Sequence, residues 1–362
     1  MSGELIAPPT RNELEVIMSK AFAFLPFVLL TIICWGNYGV LMHHGKELMG
    51  DALRPFVGVG FAYFAIAVLV PTALLAMKGE KGNWSRSGVI LSLLAGSVGA
   101  LGALGVILAF SFKAKPIYVM PLVFGGAPVI NTLVTMAMSQ NLEKIKPIFL
   151  IGILMAALGG AGVLVFKPSE SAKPAKTAEM VGVDASETAP SAASIEPALN
   201  FPMIAFSVAL AVLSWGAYGP VLHKGQMKMG GSRLRPFLCV GIAYFFIAVA
   251  IPLLVLPLLE SSGQWNSTGM AWSLAGGAAG AIGALGIIYA FNFGGKPIFV
   301  MPLIFGMAPV MNTFTTLTEN ASWGRIEPTF IVALLITIAG AVTVLIFAPK
   351  PAPAPKPSTA GN

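Results

Sequence analysis

The chain has 362 residues, 56% of them hydrophobic and 10% charged, with a formal net charge of +7 and a mean hydropathy of +0.82. A soluble domain carries about a quarter charged residues. This balance excludes an ordinary soluble domain and points to a polytopic membrane protein.

In chain order, residues 1–24 are a polar tail, expected on the cytoplasmic side. Its acidic residues and its lack of a basic n-region give no sign of a cleavable leader. Apolar runs follow at about 25–45, 55–77, 88–112, 116–138 and 147–166. Each is long enough for a helix to cross a hydrocarbon core of roughly 30 Å. Residues 167–200 are rich in Ala, Ser, Pro and Glu and are expected to be a disordered linker. Further apolar runs lie at about 202–223, 236–259, 269–293, 297–318 and 328–348, and a Pro-rich tail, also expected to be disordered, occupies 350–362. The expected fold is therefore an all-α integral membrane protein of ten transmembrane helices. Cys34 and Cys239 both fall inside apolar runs and read as small buried hydrophobes, not a disulfide.

The sequence repeats itself. Lys115–Thr132 and Lys296–Thr313 agree at fourteen of eighteen positions, at an offset of 181. Trp35-Gly36, Tyr38-Gly39 and His43 recur as Trp215-Gly216, Tyr218-Gly219 and His223 at an offset of 180. Arg54-Pro55-Phe56, Tyr63, Pro71 and Trp84 recur as Arg235-Pro236-Phe237, Tyr244, Pro252 and Trp265. The glycines Gly99, Gly102 and Gly105 recur as Gly280, Gly283 and Gly286. Such self-similarity predicts a tandem duplication, residues 25–166 and 201–349, of one five-helix unit. An odd number of crossings makes the second unit enter the membrane from the opposite side, giving inverted repeats. Lys and Arg number 14 on the side holding both termini and 8 on the other, so the positive-inside rule puts both termini in the cytoplasm.

The fourth run of each unit contains prolines where a helix tolerates them badly. Pro116 and Pro297 fit a first turn, but Pro121, Pro128, Pro302 and Pro309 fall inside the span and free the carbonyls of Ile117, Phe124, Ile298 and Phe305. In lipid such groups persist only beside protein or a wet cavity. Phe124, Pro128 and Asn131 share one helical face, as do Phe305, Pro309 and Asn312. Two readings stay open for the two asparagines: substrate ligands in a cavity, or polar glue between helices. The mid-span aromatics Trp35, Tyr38, Trp215 and Tyr218 read as an interior lining, against the alternative of packing with N–H and O–H held by backbone. The glycine ladders read as close helix contacts. The span interiors carry no Asp, Glu, Lys or Arg, and His43, His44 and His223 fall near the ends of the first helices. The matched cations Arg54 and Arg235, Lys115 and Lys296, sit at membrane borders, where they could attract anions but anchoring to headgroups is the expected role. No metal-ligand cluster, nucleotide loop or nucleophile–base set is present, so the chain reads as a non-enzyme without metal or cofactor, and without a nucleic-acid partner.

The Trp-Gly pairs in the first run of each unit and the Pro-Val late in the fourth resemble the drug/metabolite transporter superfamily, its EamA-like permeases in particular. Pro128-Val129 followed by Glu143, Gly152 and Gly159-Gly160 resembles that pattern, while Pro309-Val310 is followed by Gly324 where the family pattern has Glu. The resemblance implies alternating-access transport of a small metabolite through a central cavity. The uncharged spans favour a neutral or zwitterionic substrate. The expected protein is an inner-membrane permease in contact with lipid, with Trp35, Tyr38, Asn131, Trp215, Tyr218 and Asn312 at the site and the four internal prolines as kinks. A homodimer is compatible with this, and a non-transporting receptor or scaffold that keeps the fold is the rival.

Overall fold

In the computed structural model, the described residues are 22–51, 53–77, 79–112, 114, 116–139, 145–166, 200–259, 263–319 and 323–347. Residues 1–21, 167–199 and 348–362, which hold nearly all of the expected tails and linker, lie outside them. Among the described residues the fold is all-helical. The helices are α1 (Leu25–Met49), α2 (Leu53–Met77), α3 (Arg86–Ser111), α4 (Pro116–Ser139) and α5 (Pro147–Val165). After the linker come α6 (Phe201–Lys228), α7 (Leu234–Leu258), α8 (Ser267–Asn292), α9 (Pro297–Glu319) and α10 (Pro328–Phe347). Seven of them (α1, α2, α3, α6, α7, α8 and α9) are long and apolar enough to cross a membrane. Shorter apolar helical segments, Leu122–Met138, Pro147–Val163 and Pro328–Val344, lie in α4, α5 and α10.

Local chemistry sets the helix ends. Asn200 and Asn266 cap α6 and α8, their side-chain oxygens accepting from the N–H of Met203 (3.3 Å) and Gly269 (2.8 Å). Gly50, at φ 78°, ends α1 in the left-handed conformation that glycine adopts without a Cβ clash. Helices α2 and α7 each contain a π turn, at Phe64–Leu69 and Phe246–Ala250. Each lies just before a proline, Pro71 or Pro252, which has no N–H for the carbonyl four residues back. The widened turn is how the backbone absorbs that loss inside an apolar span.

The outer surface is Leu, Ile and Phe, with Leu158, Phe206, Leu254 and Ile346 among the exposed side chains. The seams between helices are Gly, Ala, Ser and Thr. Water disfavours such an exterior and lipid accepts it, so the protein is membrane-embedded. Packing interlocks the segments before and after the linker: α3 lies on α6 and α7, α8 on α1 and α2, and α5 on α10.

Two loop clasps join the same segments. In one, Asn83 N–H donates to Met229 O (3.2 Å) and Arg235 lies over the Trp84 ring at 5.7 Å. In the other, Gln264 N–H donates to Met49 O (2.9 Å) and Arg54 lies over the Trp265 ring, also at 5.7 Å. The acid of the first clasp is Glu80. It accepts from Ser232 Oγ (2.5 Å), from the N–H of Arg233 (2.9 Å) and Leu234 (3.1 Å), and from Arg233 Nε (3.3 Å). In the second clasp Arg54 pairs with Asp51. Both arginine side chains are 12% exposed. The headgroup-anchor role expected of Arg54 and Arg235 is thereby corrected: they are folded into cross-segment clasps instead of reaching for lipid.

Candidate functional site

Two glycine positions build the centre. On α8 a Cβ at Gly283 would overlap the Trp35 indole, and on α3 a Cβ at Gly102 would overlap the Trp215 indole. Only a residue without a side chain lets those rings lie flat on the opposing helix. There each indole N–H finds a backbone acceptor, Trp35 Nε1 giving to Gly280 O (3.2 Å) and Trp215 Nε1 to Gly99 O (3.0 Å). For these N–H groups the packing alternative holds, and the ring faces are what remains for a ligand. Trp35 stands 6.2 Å from both Tyr218 and Phe305, and Phe124 stands 6.3 Å from both Trp215 and Phe305. Beside them Tyr63 and Tyr244 stack at 3.8 Å and 4°. Tyr38 packs partly buried against the same core. The structure thus gathers Trp35, Tyr38, Trp215 and Tyr218 around one aromatic centre, drawn from segments on both sides of the linker. It adds Phe124 and Phe305, whose shared face with the asparagines had marked them in sequence.

Asn131 and Asn312 stand at this centre but hold different partners. Asn131 is fully buried, and its Nδ2 donates to Pro297 O at 2.9 Å. Asn312 Nδ2 donates to Gly36 O at 3.0 Å. Helices α4 and α9 run unbroken through their prolines, with Pro302 and Pro309 inside α9. Thr132 Oγ1 caps the Pro128 carbonyl (2.9 Å) as Thr313 Oγ1 caps that of Pro309 (3.0 Å). The side chain of Pro121 lies outside the described residues. Hydrogen-bonding capacity is left over at two buried central atoms: Asn131 Oδ1 and Tyr218 Oη have no partner among the described residues. Both atoms are closed off from solvent in this conformation, among aromatic ring faces.

Sequence reading missed Pro220, which lies inside α6 and has Val40 at the corresponding place in α1. Its signal was a proline within an apolar run, and the lack of a mate hid it. The histidines also differ from expectation. The first helices run on to Met49 and Lys228, so His223 lies within α6, its ring set edge-on to Phe291 with centroids 4.9 Å apart. His43 and His44 stay near the surface, 3.3 Å from Glu47 and 3.8 Å from Glu319. Both cysteines are free, and Cys239 is buried.

No family model matches the sequence. No curated protein matches it either. Nineteen solved chains resemble it in structure. One of these, a crystal structure of a protein, superimposes with a TM-score of 0.62 at 17% identity, covering 90% of this chain and 97% of that one. At that identity the likeness concerns the fold alone.

Proposed function

We propose that the protein is a secondary-type transporter of ten membrane helices in two inverted five-helix units, moving a small neutral or zwitterionic metabolite by alternating access. The observation that carries this reading is the reciprocity of the central contacts. Trp35 to Gly280 is answered by Trp215 to Gly99, and each clasp by its mate. Two copies of one unit meeting across a pseudo-two-fold axis produce such pairs, and that arrangement places a substrate site at the unit interface near the midplane. The aromatic centre, with Trp35, Tyr38, Trp215 and Tyr218 around Asn131 and Asn312, is the site in this reading. Pro128, Pro302 and Pro309 mark the points at which α4 and α9 flex, with Pro121 their sequence mate. Both termini face the cytoplasm, and the substrate carries no net charge because, among the described residues, no charged side chain lines the centre to pair with one. The EamA-like resemblance agrees with this function.

The test is saturable counterflow in proteoliposomes over a panel of neutral and zwitterionic metabolites, amino acids and sugars included. Wild type should exchange at least one of them, and Asn131→Ala or Asn312→Ala should lower its flux. No exchange of any compound would support a scaffold; unchanged flux and affinity in both variants would remove the amides from the site.

A further inference from the structure

Asn131 and Asn312 are sequence mates in matched surroundings. A Cβ at Gly36 of α1 would lie 2.8 Å from Met311 Cγ and 2.9 Å from Ala308 O of α9. A Cβ at Gly216 of α6 would lie 2.6 Å from Ile130 Cγ2 and 2.9 Å from Ala127 O of α4. Met311 corresponds to Ile130 and Ala308 to Ala127, so the two helix pairs pack alike. Asn312 uses its own pair's carbonyl, Gly36 O. The equivalent acceptor for Asn131 is Gly216 O, yet Asn131 reaches across to Pro297 O in the first turn of α9.

Gly216 O is also special. Its helical donor would be the N–H of residue 220, and Pro220 has none. A carbonyl that has lost its helical donor therefore lies in the seam beside Asn131. The packing of the fourth helices differs in the same sense. Leu303 of α9 is 4% exposed, and its mate Leu122 of α4 is 59% exposed. Gly306 of α9 is packed against Ala156 of α5, where a Cβ would meet the Ala156 Cβ at 3.2 Å. At this position α9 is enclosed by its neighbours where α4 is open, although Val119, Val123 and Phe124 of α4 also pack inward.

We propose that Asn131 is a switch amide that exchanges between two acceptors. It holds Pro297 O while the first half of α9 closes the face at which α9 begins. It turns to Gly216 O when that half-helix swings away. Asn312, already on Gly36 O, is in the released position, and the first turn of α4 at Pro116 is its partner in the opposite state. The inference rests on the transporter reading, since only a two-state protein has use for the exchange. Rotating one amide between two carbonyls costs little, because each state supplies one hydrogen bond. Pro220 is then a positioning residue that keeps the second acceptor free.

The test uses the full chain in nanodiscs, with Cys34→Ala and Cys239→Ala and a single reporter, Thr135→Cys, one turn beyond Asn131 on α4. The readout is the labelling rate with a charged maleimide. Pro220→Ala, which returns an N–H to Gly216 O and so takes away the acceptor of the released state, should slow labelling roughly fivefold, the weight of one net hydrogen bond. Asn131→Leu removes one bond from each state, so it should leave the rate unchanged and should abolish the slowing by Pro220→Ala when the two are combined, whereas Asn312→Leu should leave that slowing in place. The switch is overturned by an unchanged or faster rate in Pro220→Ala, or by a slowing that persists in the Asn131→Leu background. Counterflow of the same variants in proteoliposomes separates the two ideas. Absent transport with the labelling shifts intact counts against the transporter reading and supports the switch; intact transport without those shifts overturns the switch alone.

Discussion

Gly283→Ala carries a prediction whose sign is decisive. In an exposed helix, replacing Gly by Ala stabilises by about 1 kcal/mol. At Gly283 the new methyl would strike Cδ1 and Nε1 of the Trp35 indole, a ring held to Gly280 O by its own N–H. Overpacking of a close seam costs about 1–3 kcal/mol, and the strained indole bond adds about 0.6 kcal/mol, the average for interhelical hydrogen bonds in a membrane protein. The net is a destabilisation of about 0.6–2.6 kcal/mol, or about 1–3 °C in Tm for a chain of this size at an unfolding entropy of about 2.1 cal/mol/K per residue. Thermal unfolding followed by intrinsic fluorescence in one detergent measures it, with Gly324→Ala, which meets nothing within 4 Å, as the unchanged control. Gly102→Ala should behave as Gly283→Ala does, and adding Trp35→Phe to Gly283→Ala should cost less than the sum of the two. An unchanged or raised Tm for Gly283→Ala would refute the packing described for both indoles.

Other consequences are equally concrete. Burial of the Glu80 carboxyl opposes its ionisation, but the bonds from Ser232, Arg233 and Leu234 outweigh that and hold it below the ordinary carboxylate range. A depressed folded pKa means stability that is present above the unfolded value and lost as pH falls through the folded one. The Tm gap between wild type and Glu80→Gln should therefore be full at neutral pH and shrink on acidification below the glutamate range; a gap independent of pH would deny the carboxylate this role. Tyr63→Leu should lower stability by about 0.5–1.5 kcal/mol beyond lost area, through loss of the stack on Tyr244, and a Tyr63/Tyr244 double-mutant cycle with no coupling would contradict it. Cys239, 2% exposed, should react with a small thiol reagent only after unfolding; rapid labelling of the folded protein would place it elsewhere.

The membrane class and the seven long apolar helices were legible because lipid imposes length and apolarity on a crossing. The recurrence of Trp35, Tyr63 and Gly102 as Trp215, Tyr244 and Gly283 was legible too, because a shared structural need preserves spacing. What each residue touches was not. Arg54 and Arg235 read alike as border cations, and only the fold shows the Trp rings and carboxylates that hold them. The π turns were hidden because Pro71 and Pro252 look the same in sequence whether a helix kinks or widens there. The differing partners of Asn131 and Asn312 were unreadable in principle. Identical residues at matched positions predict identical bonds, and their divergence comes from how α4 and α9 pack, a tertiary property.

The most direct test of transport by opposed units is a reversible lock on α4 and α6, which belong to different units. A Cβ at Gly126 would lie 3.6 Å from the Val212 Cβ, so Gly126→Cys with Val212→Cys places two thiols within disulfide reach across the seam between the units. Oxidation in proteoliposomes should abolish counterflow of a substrate found active for the wild type, and reduction should restore it. Full cross-linking with undiminished counterflow would contradict alternating access by these two units.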